Sequence, residues 1–248
     1  MFYDQLKERF LALAIKHSLL QEPVAISARI LSNEEAIGNP TRQDYPLLKG
    51  KEFLMAARFK DSQGQAFTDA PSEQISTLEA ILDRPFDSVS NRAIFIATLN
   101  AVMRSLQPEI MTIHCHDDEP EDCAREMMRR IKQMSIKKVG LVGLQPAILE
   151  ALVETFGADH VICVDRDESQ LGSSKYGVSI KWGDEQETAD LFVKSDLVLA
   201  TGSTVVNGSL PGLLQLAKDA QTEIIFYGTS IAGAAELMNL KRFCFKAV

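Results

Sequence analysis

The ten residues from His114 to Cys123, HCHDDEPEDC, contain two histidines, two cysteines and five acids. If this segment is extended, His114 and His116 point to one face and could share a cation, while Cys115 points to the other face. Cys123 would then lie in the first turn of a helix, where the positive end of the helix dipole favours the thiolate that binds soft metals. These residue types predict metal binding.

The same acids have a second interpretation, as the start of a helix. Asp118 or Glu119 can cap a helix that has Pro120 at its first position, and Glu121 and Asp122 then lie near the positive end of its dipole. This capping explains most of the acids without a metal. The spacing matches neither a paired C-x-x-C zinc site nor an H-E-x-x-H helix, so both interpretations stay open.

The composition excludes several classes of protein. The chain has 248 residues, of which 46% are hydrophobic, and this is enough for one large folded domain or two modest ones. Its formal charge is -8, its isoelectric point is near 5.1, and no run of Lys and Arg is longer than two. Nucleic acid and anionic lipid are therefore not expected as main partners.

The sequence carries no targeting pattern that we can identify. Phe2, Leu6, Phe10 and Leu13 lie on one face of an N-terminal amphipathic helix, and charged residues interrupt any apolar core of a signal peptide. No apolar stretch is long enough to span a bilayer. The four cysteines lack the dense spacing of a disulfide scaffold and favour a reducing compartment. We therefore expect a cytoplasmic protein without a membrane partner, and a homo-oligomer is left open.

Two different patterns divide the chain. In the first half, VAISARIL alternates like a strand, EFLMAARF and GQAFTDA flank KDSQ as a hairpin, NRAIFIATLNAVMRSL has helical periodicity, and IMTIHC predicts a short strand. In the second half, KKVGLVG, HVICVD, SDLVLAT and TEIIFYG are apolar runs separated by helix-like or loop segments, which is typical of a parallel sheet with crossover helices. We therefore predict an α/β protein, with an α+β domain at 1–118 and a doubly wound parallel-sheet domain at 119–248 that begins with a linking helix at about 119–134.

Three predicted strands of the second half end in turns that are rich in glycine and hydroxyl residues. Because the strands of a parallel sheet point the same way, these turns must emerge along one edge, where doubly wound folds bind their ligands. Backbone amides and hydroxyls at such turns can hold carboxylate or phosphate oxygens, although glycines occur at these turns whether or not a ligand binds. The turn residues are Gly143 and Pro146; Thr201, Gly202, Ser203 and Thr204, with Asn207 or Ser209 as the cap of the next helix; and Gly228 and Ser230.

Asp165 closes the second of these strands, 22 residues after Gly143. A nucleotide-binding sheet places there the acid that accepts hydrogen bonds from ribose hydroxyls. However, GLVGLQPA is not G-x-G-x-x-G, because Gln145 and Ile148 occupy the places of the second and third glycines. A smaller nucleoside ligand such as S-adenosylmethionine is compatible with this turn, and Asp165 is equally compatible with a loop acid.

Several motifs between residues 38 and 230 occur together and in order: GNPTRQDYPLLKGKE, GQAFTDAP, ATLNAV, HCHDDEPEDCA, VGLQPAILEAL, ATGSTVVNGS and YGTS. In this combination the chain resembles the bacterial and archaeal family that carries a putative heavy-metal chelation domain, formerly a domain of unknown function. The resemblance implies an N-terminal domain like the N-terminal region of enolase, a C-terminal Rossmann-like domain, and a site in the cleft between them.

By position, the resemblance implies that seven residues lie at that cleft: Thr201, Gly202, Ser203, Thr204 and Asn207, with Gln145 and Pro146 beside them. The acid- and cysteine-rich segment would supply the other polar groups. The chain departs from the family at Gly228-Thr229-Ser230, where Gly-Pro-Ser is expected, although Ser230 is retained.

Other polar residues could reach the same cleft. Most charges of NPTRQDYPLLKGKE are expected to be solvated. Glu52 and Asp69 are carboxylates that a metal or an acid-base step could use. Asn100 either satisfies a buried backbone group or faces the cleft. Cys163 and Cys244 alternate with apolar residues, and we interpret both as core packing.

Three functional hypotheses follow. The first is a protein that binds a metal ion, or a small metal-containing or anionic ligand, in the interdomain cleft, where Ser203, Thr204 and Asn207 would orient an organic or oxyanion part. The second is an enzyme, a transferase or synthase that uses S-adenosylmethionine or a nucleotide with Asp165 on the ribose. The third is a carrier that hands a metal or metallocofactor to a client enzyme. The candidate metal ligands are His114, Cys115, His116, Asp117, Glu119 and Cys123.

Overall fold

A computed structural model describes residues 1–27, 33–49 and 53–247 of the chain, and these residues form two β-sheets. The helices and strands of the N-terminal half are α1 (Phe2–Lys16), β1 (Pro23–Ser27), α2 (Asn33–Ile37), β2 (Phe53–Phe59), β3 (Ser62–Thr68), β4 (Gln74–Thr77), α3 (Leu78–Leu82) and α4 (Val89–Leu106). Its sheet is antiparallel, with the strand order β3-β2-β1-β4.

The C-terminal half contains the second sheet. Its elements are α5 (Glu119–Ile131), β5 (Val139–Val142), α6 (Pro146–Phe156), β6 (Val161–Asp165), β7 (Ser174–Lys175), β8 (Val178–Trp182), α7 (Glu185–Lys194), β9 (Leu197–Thr201), α8 (Thr204–Asn207), α9 (Leu210–Ala220), β10 (Glu223–Tyr227), α10 (Ala232–Met238) and β11 (Arg242–Phe243). Short 3-10 helices lie at Pro46–Lys49, Ala158–His160 and Glu168–Gln170.

The second sheet has the strand order β11-β10-β9-β5-β6-β8-β7. All neighbouring strands in it are parallel except β7, which pairs antiparallel with β8. Numbered from β5 without β7, this is the order 3-2-1-4-5-6 of doubly wound folds, in which ligands bind where the order reverses, between the first and fourth strands. The predicted fold class is confirmed: an antiparallel α+β half precedes a doubly wound parallel half. The more specific likeness to the N-terminal region of enolase stays a prediction, as does the domain boundary at residue 118.

The strands of the parallel sheet are apolar on both faces because helices cover both. In β9, Leu197 and Leu199 pack into a hydrophobic cluster with α5 and α6, while Val198 and Ala200 pack into a second cluster with α7 and α9. Alternate residues of a strand point to opposite faces, so this strand is buried on both sides. Burial on both faces explains why these strands appear in the sequence as short, continuous runs rich in Val and Ile.

Several smaller predictions can be compared with the structure. The N-terminal amphipathic helix is present as α1, which buries Leu6 and Phe10, and the predicted hairpin is formed by β2 and β3. The strand predicted for VAISARIL is described as β1, and its last four residues lie outside the described ranges. Among the described residues, no helix is long and apolar enough to cross a bilayer.

The strand predicted for IMTIHC is wrong, because side-chain hydrogen bonds replace some of the backbone hydrogen bonds that would pair this segment with β3. The Thr112 hydroxyl donates to the carbonyl of Gln63 at 2.7 Å, and the Gln65 N–H donates to the carbonyl of Thr112 at 3.1 Å. The next amide, of His114, donates instead to the side-chain oxygen of Gln65 at 2.6 Å. The segment therefore follows the edge of the sheet without continuing its backbone pairing.

The two halves share one core around helix α4. Its buried apolar residues pack in the same cluster as Val205 and Ala234 of the C-terminal half. Gly64 of β3 lies directly against this helix, since a Cβ there would overlap the backbone of Ala101. The absence of a side chain is what allows this close approach of sheet and helix.

Asn100, which is fully buried in α4, joins three segments by hydrogen bonds. Its side-chain NH2 donates to the carbonyls of Gln65, Thr229 and Ser230 at 2.8, 3.1 and 3.2 Å, and its side-chain oxygen accepts from the Gly233 N–H at 2.7 Å. Of the two roles expected for this residue, the structure shows the first, since it satisfies buried backbone groups.

We predict that Asn100→Ala lowers the free energy of unfolding by roughly 3 kcal/mol or more, because several buried backbone groups lose their partner at once. Urea unfolding followed by circular dichroism measures this change. The matched control is Asn91→Ala in the same helix, whose side chain makes one exposed hydrogen bond to Asp87; its effect should stay within about 0.5 kcal/mol. Equal unfolding midpoints for the two variants would contradict the prediction.

Candidate functional site

A cavity of about 1150 Å³ lies between the carboxyl edge of the parallel sheet and the N-terminal half. From the N-terminal half, Asp44, Tyr45, Phe67 and Asp69 line it. The residues predicted for the strand-end turns also line it: Gly143, Gln145, Pro146, Asp165, Thr201, Gly202, Ser203, Thr204, Asn207, Gly228 and Ser230. The turns therefore converge on one space, as the parallel arrangement of the strands requires.

The turn after β5 is held against the ends of β9 and β10. Gly143 has a φ of 89°, and a Cβ at this residue would lie 2.6 Å from the Thr201 methyl carbon. The Tyr227 hydroxyl donates to the carbonyl of Gly143 at 2.7 Å. Gln145 then caps α6 by accepting from the Ile148 N–H at 2.6 Å, with Pro146 in the first turn as expected.

Asp165 supports this turn with both carboxylate oxygens. One accepts from the Leu144 N–H at 2.5 Å and the other from the Asp167 N–H at 2.6 Å. Both oxygens thus bind backbone amides, which is the behaviour of the loop acid given as the alternative in the sequence analysis. A ribose contact by this residue stays a prediction without support from these hydrogen bonds.

The turn after β9 presents hydroxyl groups to the cavity. Thr201 and Ser203 share a hydrogen bond of 3.3 Å between their hydroxyls, and the Thr204 hydroxyl donates to the carbonyl of Thr201 at 2.7 Å. The Asn207 side chain accepts from the Ser209 N–H at 3.0 Å and orders the entry to α9. This turn is therefore locally ordered by its own hydroxyl and amide groups.

The turn after β10 is tied to the N-terminal half. The Ser230 hydroxyl oxygen accepts from the Phe67 N–H at 2.9 Å, and Ser230 is only 1% exposed. Gly228, with a φ of 87°, accepts at its carbonyl from the Arg242 side chain at 2.9 Å. Ser230 therefore joins the two halves at the rim of the cavity.

The predicted metal ligands divide into two groups. His114, Cys115 and Cys123 line the cavity, whereas His116, Asp117 and Glu119 do not. The paired face expected for His114 and His116 is not formed, because the segment is not a strand, and Cys115 lines the cavity beside His114 instead.

The acids of this segment make structural contacts. Asp117 accepts from the Asn39 N–H at 2.8 Å, and Glu119 accepts from the His116 N–H at 2.9 Å. Asp118 lies at the N-cap of α5, but its carboxylate accepts from the Thr41 N–H at 2.8 Å and makes no side-chain cap bond. Within 1–27, 33–49 and 53–247, no three His, Cys, Asp or Glu side chains lie close enough together to hold a metal ion as they stand.

Cys244 is a cavity residue that the sequence analysis missed. It follows the last parallel strand, β11, and so lies at the same sheet edge as the other turns. Cys244 is buried as expected, at 9% exposed, but it also lines the cavity, whereas Cys163 is fully buried in the core. The strand that carries Cys244 to the edge is only two residues long, Arg242 and Phe243, which is too short to leave an apolar pattern in the sequence.

Cys244 lies beside two of the predicted ligands. The Cys123 sulfur accepts from the Phe245 N–H at 3.3 Å, so the backbone that follows Cys244 lies against Cys123. The interaction between the two thiols raises the pKa of Cys123 and lowers that of Cys244, and burial adds to the rise at Cys123. Burial raises the pKa of the nearby Cys115.

The loop between α2 and β2 is held over one side of the cavity by charge pairs. Arg42, whose side chain is 15% exposed, contacts the carboxylates of Asp44, Glu121 and Glu150 and donates to the Tyr176 hydroxyl at 2.6 Å. Arg42 is thus an exception to the solvated charges expected in this loop. Among the other charges of this loop, Lys51 and Glu52 lie outside the described residues.

We predict that Asp165→Asn lowers the free energy of unfolding by about 1–3 kcal/mol, because the amide keeps one acceptor oxygen and turns its NH2 group toward a backbone N–H. Chemical denaturation of the purified variant measures the loss. Asp159→Asn, at an exposed aspartate, is the control and should change stability by less than about 0.5 kcal/mol. A fully stable Asp165→Asn protein would mean that the carboxylate does not hold the turn.

Comparison with known proteins gives a match to a family model and a similar fold. Residues 127–240 match the model of the DUF364 family, which is described as putative heavy-metal chelation. The chain is similar to the crystal structure of a DUF364 protein with unknown function from Pyrococcus horikoshii, with 16% identity, a TM-score of 0.59, and coverage of 96% of this chain and 83% of that chain. A DUF364 protein with unknown function from Desulfitobacterium hafniense DCB-2 has 19% identity, a TM-score of 0.47, and coverage of 75% and 72%.

At these identities, the likeness to solved structures concerns the fold. No curated protein matches the chain. The resemblance found in the sequence is confirmed, since residues 127–240 of this chain match the model of the DUF364 family, described as putative heavy-metal chelation.

Proposed function

We propose that this protein binds a metal ion, or a small ligand that contains one, in the cleft between its two halves. The observation that carries the proposal is that one cavity is lined both by cysteine thiols and by the polar turns at the carboxyl edge of the sheet. Thiolates bind soft metals, and the hydroxyls of Thr201 and Ser203 could orient an organic or oxyanion part of the same ligand.

The charge of the cavity favours a cationic ligand over a free anion. Among the described residues that line it, eight carry carboxylates and two, Arg166 and Lys175, carry cationic side chains. Walls with an excess of one charge focus a potential in a cleft and raise the local concentration of ions of the opposite sign. The carboxylates are those of Asp44, Asp69, Asp165, Asp167, Glu168, Asp184, Glu185 and Asp219.

The family description supports the same ligand class, since a domain described as putative heavy-metal chelation covers residues 127–240. A transferase that uses S-adenosylmethionine or a nucleotide has less support. The carboxylate of Asp165 already binds two backbone amides, and the turn after β5 lacks the second and third glycines that admit a pyrophosphate. A carrier that passes its metal to a client enzyme is a form of the proposed binding role.

We predict that protein purified anaerobically, without an affinity tag or chelator, retains a metal detectable by elemental analysis. At a free ion concentration of 100 times the dissociation constant, the bound metal should stabilise the fold by about 2.7 kcal/mol. This corresponds to a rise in melting temperature of roughly 5–10 °C for a chain of this size. Thermal unfolding of the metal-free protein with Zn²⁺ and Cd²⁺ measures the rise, and Mg²⁺ at equal concentration should give much less.

Two variants show whether the metal-induced rise in melting temperature comes from the cleft. A Cys115→Ser, Cys123→Ser double variant should lose most of the metal-induced stabilisation, and Cys163→Ala, which removes a thiol from the core instead, should keep it. A native protein without metal, whose melting temperature no soft ion raises, would overturn the proposed function.

A further inference from the structure

Three of the four cysteines reach the same wall of the cavity from separate segments. Cys115 comes from the loop before α5, Cys123 from the first turns of α5, and Cys244 from the residue after β11. Cys115 and Cys244 are 8% and 9% exposed. The sequence separation between Cys123 and Cys244 means that only the tertiary fold brings them together.

Cys123 and Cys244 are neighbours on this wall, because the residue that follows Cys244 contacts the Cys123 sulfur. Cys244 is placed there by the pairing of β11 with β10, in which Arg242 lies opposite Phe226. The Phe245 N–H, donating to the Cys123 sulfur at 3.3 Å, fixes the backbone that follows. The relative position of Cys123 and Cys244 therefore depends on backbone hydrogen bonds as well as on side chains.

Arg242 anchors the same segment to both of its neighbours. Its side chain donates to the carbonyl of Gly228 at 2.9 Å and to the carbonyl of Met111 at 2.8 Å. The first bond holds Cys244 beside the turn after β10, and the second holds it beside the loop that carries Cys115. One side chain thus sets the distance between the segments that carry Cys115 and Cys244.

The number of cysteine sulfurs on this wall limits the class of metal that it can bind. A structural zinc site requires four ligands in a tetrahedron, and the described residues contain no group of even three that could hold a metal ion as they stand. Soft cations with a filled d shell, such as Cu(I) and Hg(II), accept two thiolates in a nearly linear arrangement, and thiolate ligands select Cu(I) over harder ions. A pair of neighbouring cysteine sulfurs suits such an ion.

We propose that Cys123 and Cys244 form a two-thiolate site for a soft cation of the Cu(I) class, with Cys115 as the third sulfur available to it. This inference rests on the proposed function, because it names the ion and the ligands in the same cleft. Each sulfur binds the ion as a thiolate, so binding releases to solvent the protons that the two thiols carry. No oxidation of the protein is involved.

The first test is a titration of reduced, metal-free protein with Cu(I) under argon, in competition with the chromophoric chelator bicinchoninate. We expect one tightly held Cu(I) per chain. Cys123→Ser and Cys244→Ser should each weaken the affinity by more than the roughly 100-fold that loss of an outer-shell contact costs. The matched control is Cys163→Ala, in which a core thiol is removed, and its affinity should equal that of the parent.

The second test uses the unaltered chain, so that it does not depend on whether a variant folds. Cu(I)-loaded and metal-free protein are alkylated with N-ethylmaleimide in the native state, and the labelled peptides are identified by mass spectrometry. Loading should slow the labelling of both Cys123 and Cys244. Unchanged labelling of Cys244, or a folded Cys244→Ser variant with the affinity of the parent, would overturn the inference.

The two proposals fail in different ways. Retention of Zn²⁺ or Cd²⁺ together with no competitive Cu(I) binding would overturn the two-thiolate site and leave the proposed function standing. Binding of no soft ion of any kind, by either elemental analysis or thermal unfolding, would overturn both.

Discussion

The buried hydrogen bonds of Asn100 are the constraint on which the cleft depends. Through its side chain, helix α4 is joined to the backbone of β3 and to the turn that follows β10, so the antiparallel sheet and the edge of the parallel sheet hold fixed positions relative to one helix. Because an unpaired buried backbone group costs about 1–3 kcal/mol, the three segments cannot separate without a large loss of stability. The bond between Ser230 and the Phe67 N–H repeats this connection at the rim. The shared core therefore holds the two walls of the cleft in fixed positions relative to each other.

Within that frame, the chemistry of the cleft is divided between its two walls. The sheet edge contributes hydroxyls, backbone amides and most of the carboxylates, and the opposite wall contributes His114, Cys115 and Cys123. Cys244 belongs by sequence to the sheet edge but lies against the thiol wall. A cation bound between Cys123 and Cys244 would therefore bridge an N-terminal turn of α5 and the last strand of the sheet.

The sequence predicted those features that follow from short-range periodicity. The parallel strands could be predicted because both of their faces are buried. The turns at their ends could be predicted because strand direction fixes where they emerge. The strand predicted for IMTIHC is absent because the Gln65 side chain accepts from the His114 N–H, which a neighbouring strand would otherwise have used. The place of Cys244 could not be predicted, since it depends on a two-residue strand and on two long-range bonds of Arg242. Periodicity does not encode such contacts.

Gly143, Thr201 and Tyr227 form a closed junction at the carboxyl ends of their strands. This junction leaves little space for a ligand between those strand ends. In a doubly wound sheet, the gap between the first and fourth strands is the place where a flat ring or a diphosphate commonly inserts. Here the Thr201 methyl group and the Tyr227 hydroxyl fill that gap from the protein side. A ligand of the cleft would therefore lie across the strand ends, where the loops and thiols of the opposite wall would contact it.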